Sequence, residues 1–167
     1  SNIAGEIQVS PKTVKNWLDV LERMYLVFAV PSYTKNLPRA VIKPPKVFFY
    51  DNGDVIGDEG AVFENLVATQ LLKKLNFMED RDGYRYELKY IRDKEGREVD
   101  FVILKEEKIQ ELIEVKFSDD KISRYYAEKL NPPKATQIVA NLKHPYSSGK
   151  INVVDPISYF RQNFKKK

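Results

Sequence analysis

The spacing of apolar positions changes along the chain, and each change marks an element. From residue 10 to 24 the spacing is helical: Val14, Trp17, Leu18, Leu21 and Met24 follow Ser10-Pro11, a cap residue and a proline suited to a first helical turn. A shorter helical stretch, IAGEI, and a turn, QVS, precede it, so the chain opens as a helix-turn-helix. YLVFAVPSY (25–33) and KVFFYD (46–51) then read as strands on either side of a basic, proline-containing loop, TKNLPRAVIKPP. Two strands after a helix pair suggest a wing. The next stretch, DNGDVIGDEG (51–60), has no apolar period. It fails the calcium-loop spacing, because its glycines and terminal Glu are misplaced. It reads as a linker that caps the following helix, with Asp58 and Glu59 favourable at that N-terminus. The boundary it predicts separates residues 1–52, a partial winged helix-turn-helix, from residues 53–167.

Beyond the linker, GAVFENLVATQLLKKLN (60–76) has the pattern of a helix. Strand patterns follow at 84–92, 97–105 and 108–117, with charged turns between them. A short helix is predicted around Tyr125–Leu130, strands at 135–142 and 151–156, and a closing helix in ISYFRQNF. From residue 60 the order is αβββαβ, an α/β arrangement.

Composition narrows the class of protein. The chain is 43% apolar and 31% charged, ordinary for a globular domain of 167 residues. No apolar run approaches the ~20 residues that span a bilayer, and there is no signal-peptide pattern, so no membrane role is expected. Zero cysteines exclude disulfides, thiolate metal sites and cysteine nucleophiles, and fit a cytoplasmic protein. The formal charge of +4 owes three charges to Lys165, Lys166 and Lys167, so the body is near neutral and charge alone does not announce a nucleic-acid binder. The start, SNIAGEIQVS, has no Met and is already helical in pattern, as in a fragment of something longer.

The chemistry lies in REVDFVILKEEKIQELIEVKFS (97–118). Strand side chains alternate faces, so Glu114 and Lys116 share one face while Ile113, Val115 and Phe117 share the other. Asp100 lies on the preceding strand, and antiparallel pairing through a turn near Lys105–Lys108 can bring it beside Glu114, the register not being fixed by the sequence. Glu64 adds a third carboxylate. On a wheel of about 100° per residue it lies amid Val67, Ala68, Leu71 and Leu75, the wrong place for a merely solvated glutamate. Convergent carboxylates suit Mg²⁺ or Mn²⁺, which activates a water and neutralises a scissile phosphate, and a lysine beside that water stabilises the charge that develops. The bland readings are a hairpin-surface Asp100 and an exposed Glu114–Lys116 pair worth ~0–1 kcal/mol.

Glu64, Asp100 and Glu114-Val115-Lys116, in that order, resemble the PD-(D/E)XK nuclease superfamily. Its αβββαβ core carries a helix Glu, a strand Asp and a Glu-x-Lys on the next strand. With FEN, GREVDF and IEVK in sequence, the chain is similar to the C-terminal domain of a large prokaryotic family of AAA-type ATP-binding proteins, long catalogued as of unknown function. VSPKTVKNWLDVLERMYLVF resembles the helix-turn-helix that joins the two halves of that family. The resemblance implies a restriction-endonuclease-like fold with a mixed sheet. It also implies metal ligation by Asp100, Glu114 and the carbonyl of Val115, with Glu64 and Lys116 completing a nuclease site, and nucleic acid, DNA before RNA, as substrate. The ATPase half of the same protein is the implied partner. A silent nuclease fold that regulates or docks the ATPase is the rival. No G-x-x-x-x-G-K-[ST] occurs, so no ATP site is expected in this chain. DDKISRYYAEKL is shorter than the family's usual helix, as if residues near 120–125 were missing.

Other features have competing readings. Lys12, Lys15 and Asn16 stand where a recognition helix meets DNA, but Asp19 and Glu22 dampen a basic stripe, and a packing or hinge role is the stronger reading. The apolar face of that helix is expected to be partly covered and to pair with another copy of the chain. Tyr84, Tyr86 and Tyr90, alternating with Arg85 and Lys89, read more readily as an inner aromatic face than as a base-stacking surface.

Overall fold

The structure is a computed structural model of the chain and describes residues 3–34, 43–118 and 121–162. The middle of the basic loop (35–42), Asp119-Asp120 in the stretch that looked short, and the lysine tail lie outside the described residues. Helix α1 (Ile3–Glu6) and helix α2 (Pro11–Arg23) are separated by the predicted turn. The Ser10 hydroxyl accepts from Thr13 N–H at 3.0 Å and caps α2. Strands β1 (Val27–Val30) and β2 (Lys46–Phe49) pair antiparallel as a two-stranded ribbon, and a 3₁₀ turn (Asn52–Asp54) follows.

Helix α3 (Glu59–Asp82) starts at Asp58, whose carboxylate accepts from Ala61 N–H at 2.8 Å. It runs six residues past the predicted end at Asn76. Its last turns carry no apolar stripe, and Phe77 is exposed. The helix stops at Gly83, whose left-handed φ of 71° no side chain would adopt readily.

Strands β3 (Tyr86–Arg92), β4 (Glu98–Lys105) and β5 (Lys108–Lys116) form an antiparallel meander. Helix α4 (Tyr125–Leu130) leads to β6 (Lys134–Val139), which lies parallel to β5. Strands β7 (Tyr146–Ser148) and β8 (Ile151–Val154) and helix α5 (Pro156–Gln162) complete the described chain. The sheet order is β3-β4-β5-β6-β8-β7, six strands of mixed direction. The pattern missed β7, because Tyr-Ser-Ser at a sheet edge has no apolar alternation. The order α3-β3-β4-β5-α4-β6 agrees with the αβββαβ expectation.

One face of the sheet buries Phe101, Ile103, Ile113 and Ile138 under Phe63, Val67, Ala68 and Leu71 of α3. Tyr90 lies in this core, which supports the inner aromatic reading, while Tyr84 is exposed. The opposite face buries Val99, Val102, Leu104 and Leu112 with Tyr126 of α4. Phe28, Val30 and Phe48 of the ribbon join the α3-side core, so the segment before the linker packs into the same core. Tyr33 N–H donates to the Tyr90 carbonyl at 2.7 Å, and Tyr90 N–H to the Pro31 carbonyl at 3.1 Å, fastening that segment to the edge of β3. No helix among the described residues is long and apolar enough to cross a membrane.

Candidate acidic site

The bulge in β4 decides where Asp100 points. Lys89 pairs with Val102 but Ile91 pairs with Val99, so Tyr90 alone stands opposite Asp100 and Phe101. An extra residue of this kind lets two successive side chains lean to one side of a sheet. Asp100 therefore reaches the α3 side with Phe101 and leaves the next rung of the β4–β5 ladder open. Its Oδ2 takes that place, accepting from Val115 N–H at 2.8 Å.

Its other oxygen meets Lys46, the first residue of β2. Lys46 Nζ lies 3.3 Å from Asp100 Oδ1, 2.9 Å from Glu64 Oε1 and 2.5 Å from Glu98 Oε1. The four side chains are 18–31% exposed, enough to limit solvation without abolishing it. The ammonium also stands 5.5 Å from the Tyr90 ring centroid. Burial works against the charge on Lys46, but Asp100, Glu64 and Glu98 together outweigh it and push its pKa up. Burial raises the Glu64 carboxyl, Lys46 opposes the rise, and the Asp100 charge adds to it.

Glu114 is placed differently. Val115 packs on the α3-side core, and Glu114, by alternation, lines a cavity under α4 with Leu112 and Tyr126. Its carboxyl is pushed up to about 7, first by burial and then by the Asp100 charge, with Lys116 opposing. Glu64 and Asp100 thus meet directly through Lys46. Glu114 and Lys116 lie on the neighbouring strand outside that ion-pair set, and the Asp100 charge reaches Glu114. Lys12, Lys15 and Asn16 are exposed on α2, while Val14, Leu18 and Leu21 are half-buried and Trp17 is 49% exposed.

Sequence reasoning missed Lys46 and Glu98. Glu98 had a signal, since it lies two residues before Asp100. Lys46 had none, being 54 residues from Asp100 and on a strand read as part of a wing.

A divalent cation does not fit this arrangement. The ammonium stands where the three carboxylates converge, and both Asp100 oxygens already have donors. Among the described residues, no three or more Asp, Glu or His side chains are grouped as metal ligands, and the expected set of Asp100, Glu114 and the Val115 carbonyl has only two carboxylates.

Residues 59–160 match the family described as "Domain of unknown function (DUF4143)", over more than half of the chain. The chain belongs to the DUF4143 family. Residues 1–55 match a second description, "Domain of unknown function (DUF8612)". No curated protein and no solved structure matches the chain. The DUF4143 part contains Glu64, Glu98, Asp100, Glu114 and Lys116, whereas Lys46 comes from the preceding match. The acidic site is therefore assembled across the two.

Proposed function

We propose that this chain is the nuclease-like, regulatory part of an AAA-type ATP-binding protein, closed by Lys46 in a state that does not cleave nucleic acid. The observation that carries the proposal is one ammonium ion-paired with Glu64, Glu98 and Asp100. The α3-β3-β4-β5-α4-β6 order, the helix Glu and the Glu-x-Lys strand support kinship with PD-(D/E)XK nucleases. A fold hosts many functions, however, and the site must decide between them. Here the site favours an internal cation: Lys46 ion-pairs with carboxylates that a nuclease would leave available. Because Lys46 lies before the linker, the acidic cluster is closed only while that segment stays packed in the shared core, a dependence that fits a regulatory domain.

Metal-dependent phosphodiester hydrolysis, on DNA before RNA, is the second reading. It is favoured by Glu114, whose carboxyl titrates near neutrality two residues before Lys116 and under the influence of Asp100. The two readings part on the wild-type protein. Cleavage of labelled single- and double-stranded DNA is measured with Mg²⁺ and with Mn²⁺, with the ATPase half present, with and without ATP. The closed reading expects no cleavage and no calorimetric Mn²⁺ binding by the wild type, and Mn²⁺ binding that appears in Lys46→Met. Wild-type cleavage that disappears in Asp100→Asn would replace it with the hydrolytic reading.

A further inference from the structure

Under α4, on the side of the sheet away from α3, lies a small cavity of about 20 Å³. Val99, Leu112 and Ile151 form apolar walls, Glu114 and Gln137 supply polar groups, and the exposed Ser123 also borders it. Two further polar neighbours are already committed. The Tyr126 hydroxyl donates to Asp93 at 2.9 Å, and Thr136 Oγ1 is 2.6 Å from Glu111.

Gln137 is 1% exposed, and its Nε2 has no hydrogen-bond partner. A fully buried amide donor is seldom left so, because its lost hydration goes uncompensated. Glu114 and Gln137 are direct register partners on the parallel strands β5 and β6. Partners in register send their side chains from the same face, so the amide and the carboxyl stand side by side at the cavity. A space of this size holds one water molecule when at least two polar groups border it.

We propose that one buried water occupies the cavity, accepts a hydrogen bond from Gln137 Nε2 and donates one to the Glu114 carboxyl. Gln137 is then a positioning residue. Strand alternation sends Glu114 to the α4 face, and through the water Gln137 fixes where its carboxyl lies on that face. The inference is independent of whether the acidic site is closed or hydrolytic, since it concerns only how Glu114 is held.

The test is nuclear magnetic resonance on the whole chain with labelled glutamine amides and labelled glutamate carboxyls. The wild type is expected to show a strong Overhauser cross-peak between water and the Gln137 Nε2 protons. Gln137→Met keeps the length but removes the donor. It is expected to move the Glu114 carboxyl resonance at fixed pH while leaving that of Glu128 in place. It is also expected to lower the melting temperature by about 2–6 °C. Gln137→Asn, which keeps an amide, should recover part of the shift. No water cross-peak in the wild type, or a Gln137→Met protein that melts higher because an unpaired donor has been removed, overturns the proposal.

Discussion

Lys46→Met is the most informative single change, because it removes one cation and leaves three carboxylates facing one another. Removing one partner of a buried ion pair costs about 3–5 kcal/mol, most of it from the charge left behind. The side chains here are 18–31% exposed, so water recovers part of that, and about 2–3 kcal/mol is the expected loss at pH 8. For a chain of this size that corresponds to a fall of about 4–12 °C in melting temperature. The pH dependence is the sharper part. Burial raises the Glu64 carboxyl above its ordinary value, and the variant removes the Lys46 charge that opposes that rise. Folding is then least penalised below the unfolded glutamate pKa, and the penalty grows as pH rises through the raised folded value. The gap between wild type and variant should be small at pH 5 and full at pH 8. The wild type's own advantage from Lys46, whose folded pKa is raised, persists until pH rises past the ordinary lysine value. Urea denaturation of both proteins at pH 5 and pH 8 measures all of this. A loss below about 0.5 kcal/mol at pH 8, or an equal loss at both pH values, would refute the account of Lys46 as the counter-ion of the cluster.

Glu114→Gln should act in the opposite direction. With its pKa raised from 4.5 to about 7, Glu114 favours folding in its protonated form, and that contribution is lost as pH rises through 7. Replacing it with a neutral amide should stabilise the protein by about 1–2 kcal/mol at pH 8, after allowance for solvent contact, and by little at pH 4.5. An equal effect at both pH values would contradict it. Asn65→Leu should cost about 2–4 kcal/mol. The buried Asn65 side chain accepts from Phe49 N–H at 2.8 Å and donates to the Phe49 carbonyl and Asn52 Oδ1, both at 3.1 Å, tying the ribbon and the 3₁₀ turn to α3. Equilibrium unfolding in urea checks the value, and a loss under 1 kcal/mol would show that water replaces those bonds.

What could be read from the chain alone was what depends on neighbours in sequence. Helical spacing located α2 and the first four turns of α3, and strand alternation located β3, β4 and β5, because each period follows from backbone geometry within one element. The same local reasoning singled out Glu64, a carboxylate inside an apolar arc, and placed Glu114 and Lys116 on one face of β5. It went wrong wherever a local rule yields to packing. Antiparallel pairing allowed Asp100 to stand beside Glu114, but the bulge opposite Tyr90 turned it towards α3. Pairing between strands far apart in sequence is decided by the core as a whole, and only that pairing brought Lys46 into the cluster. Gln137 was invisible for the same reason. An ordinary polar residue on a strand becomes an unpaired buried donor beside Glu114 only when β6 lies parallel to β5 in one particular register. The sequence therefore determined which elements form and which carboxylates are unusual. The tertiary structure determined what neutralises them, because charge compensation acts through space and is set by side-chain distances that no sequence period encodes.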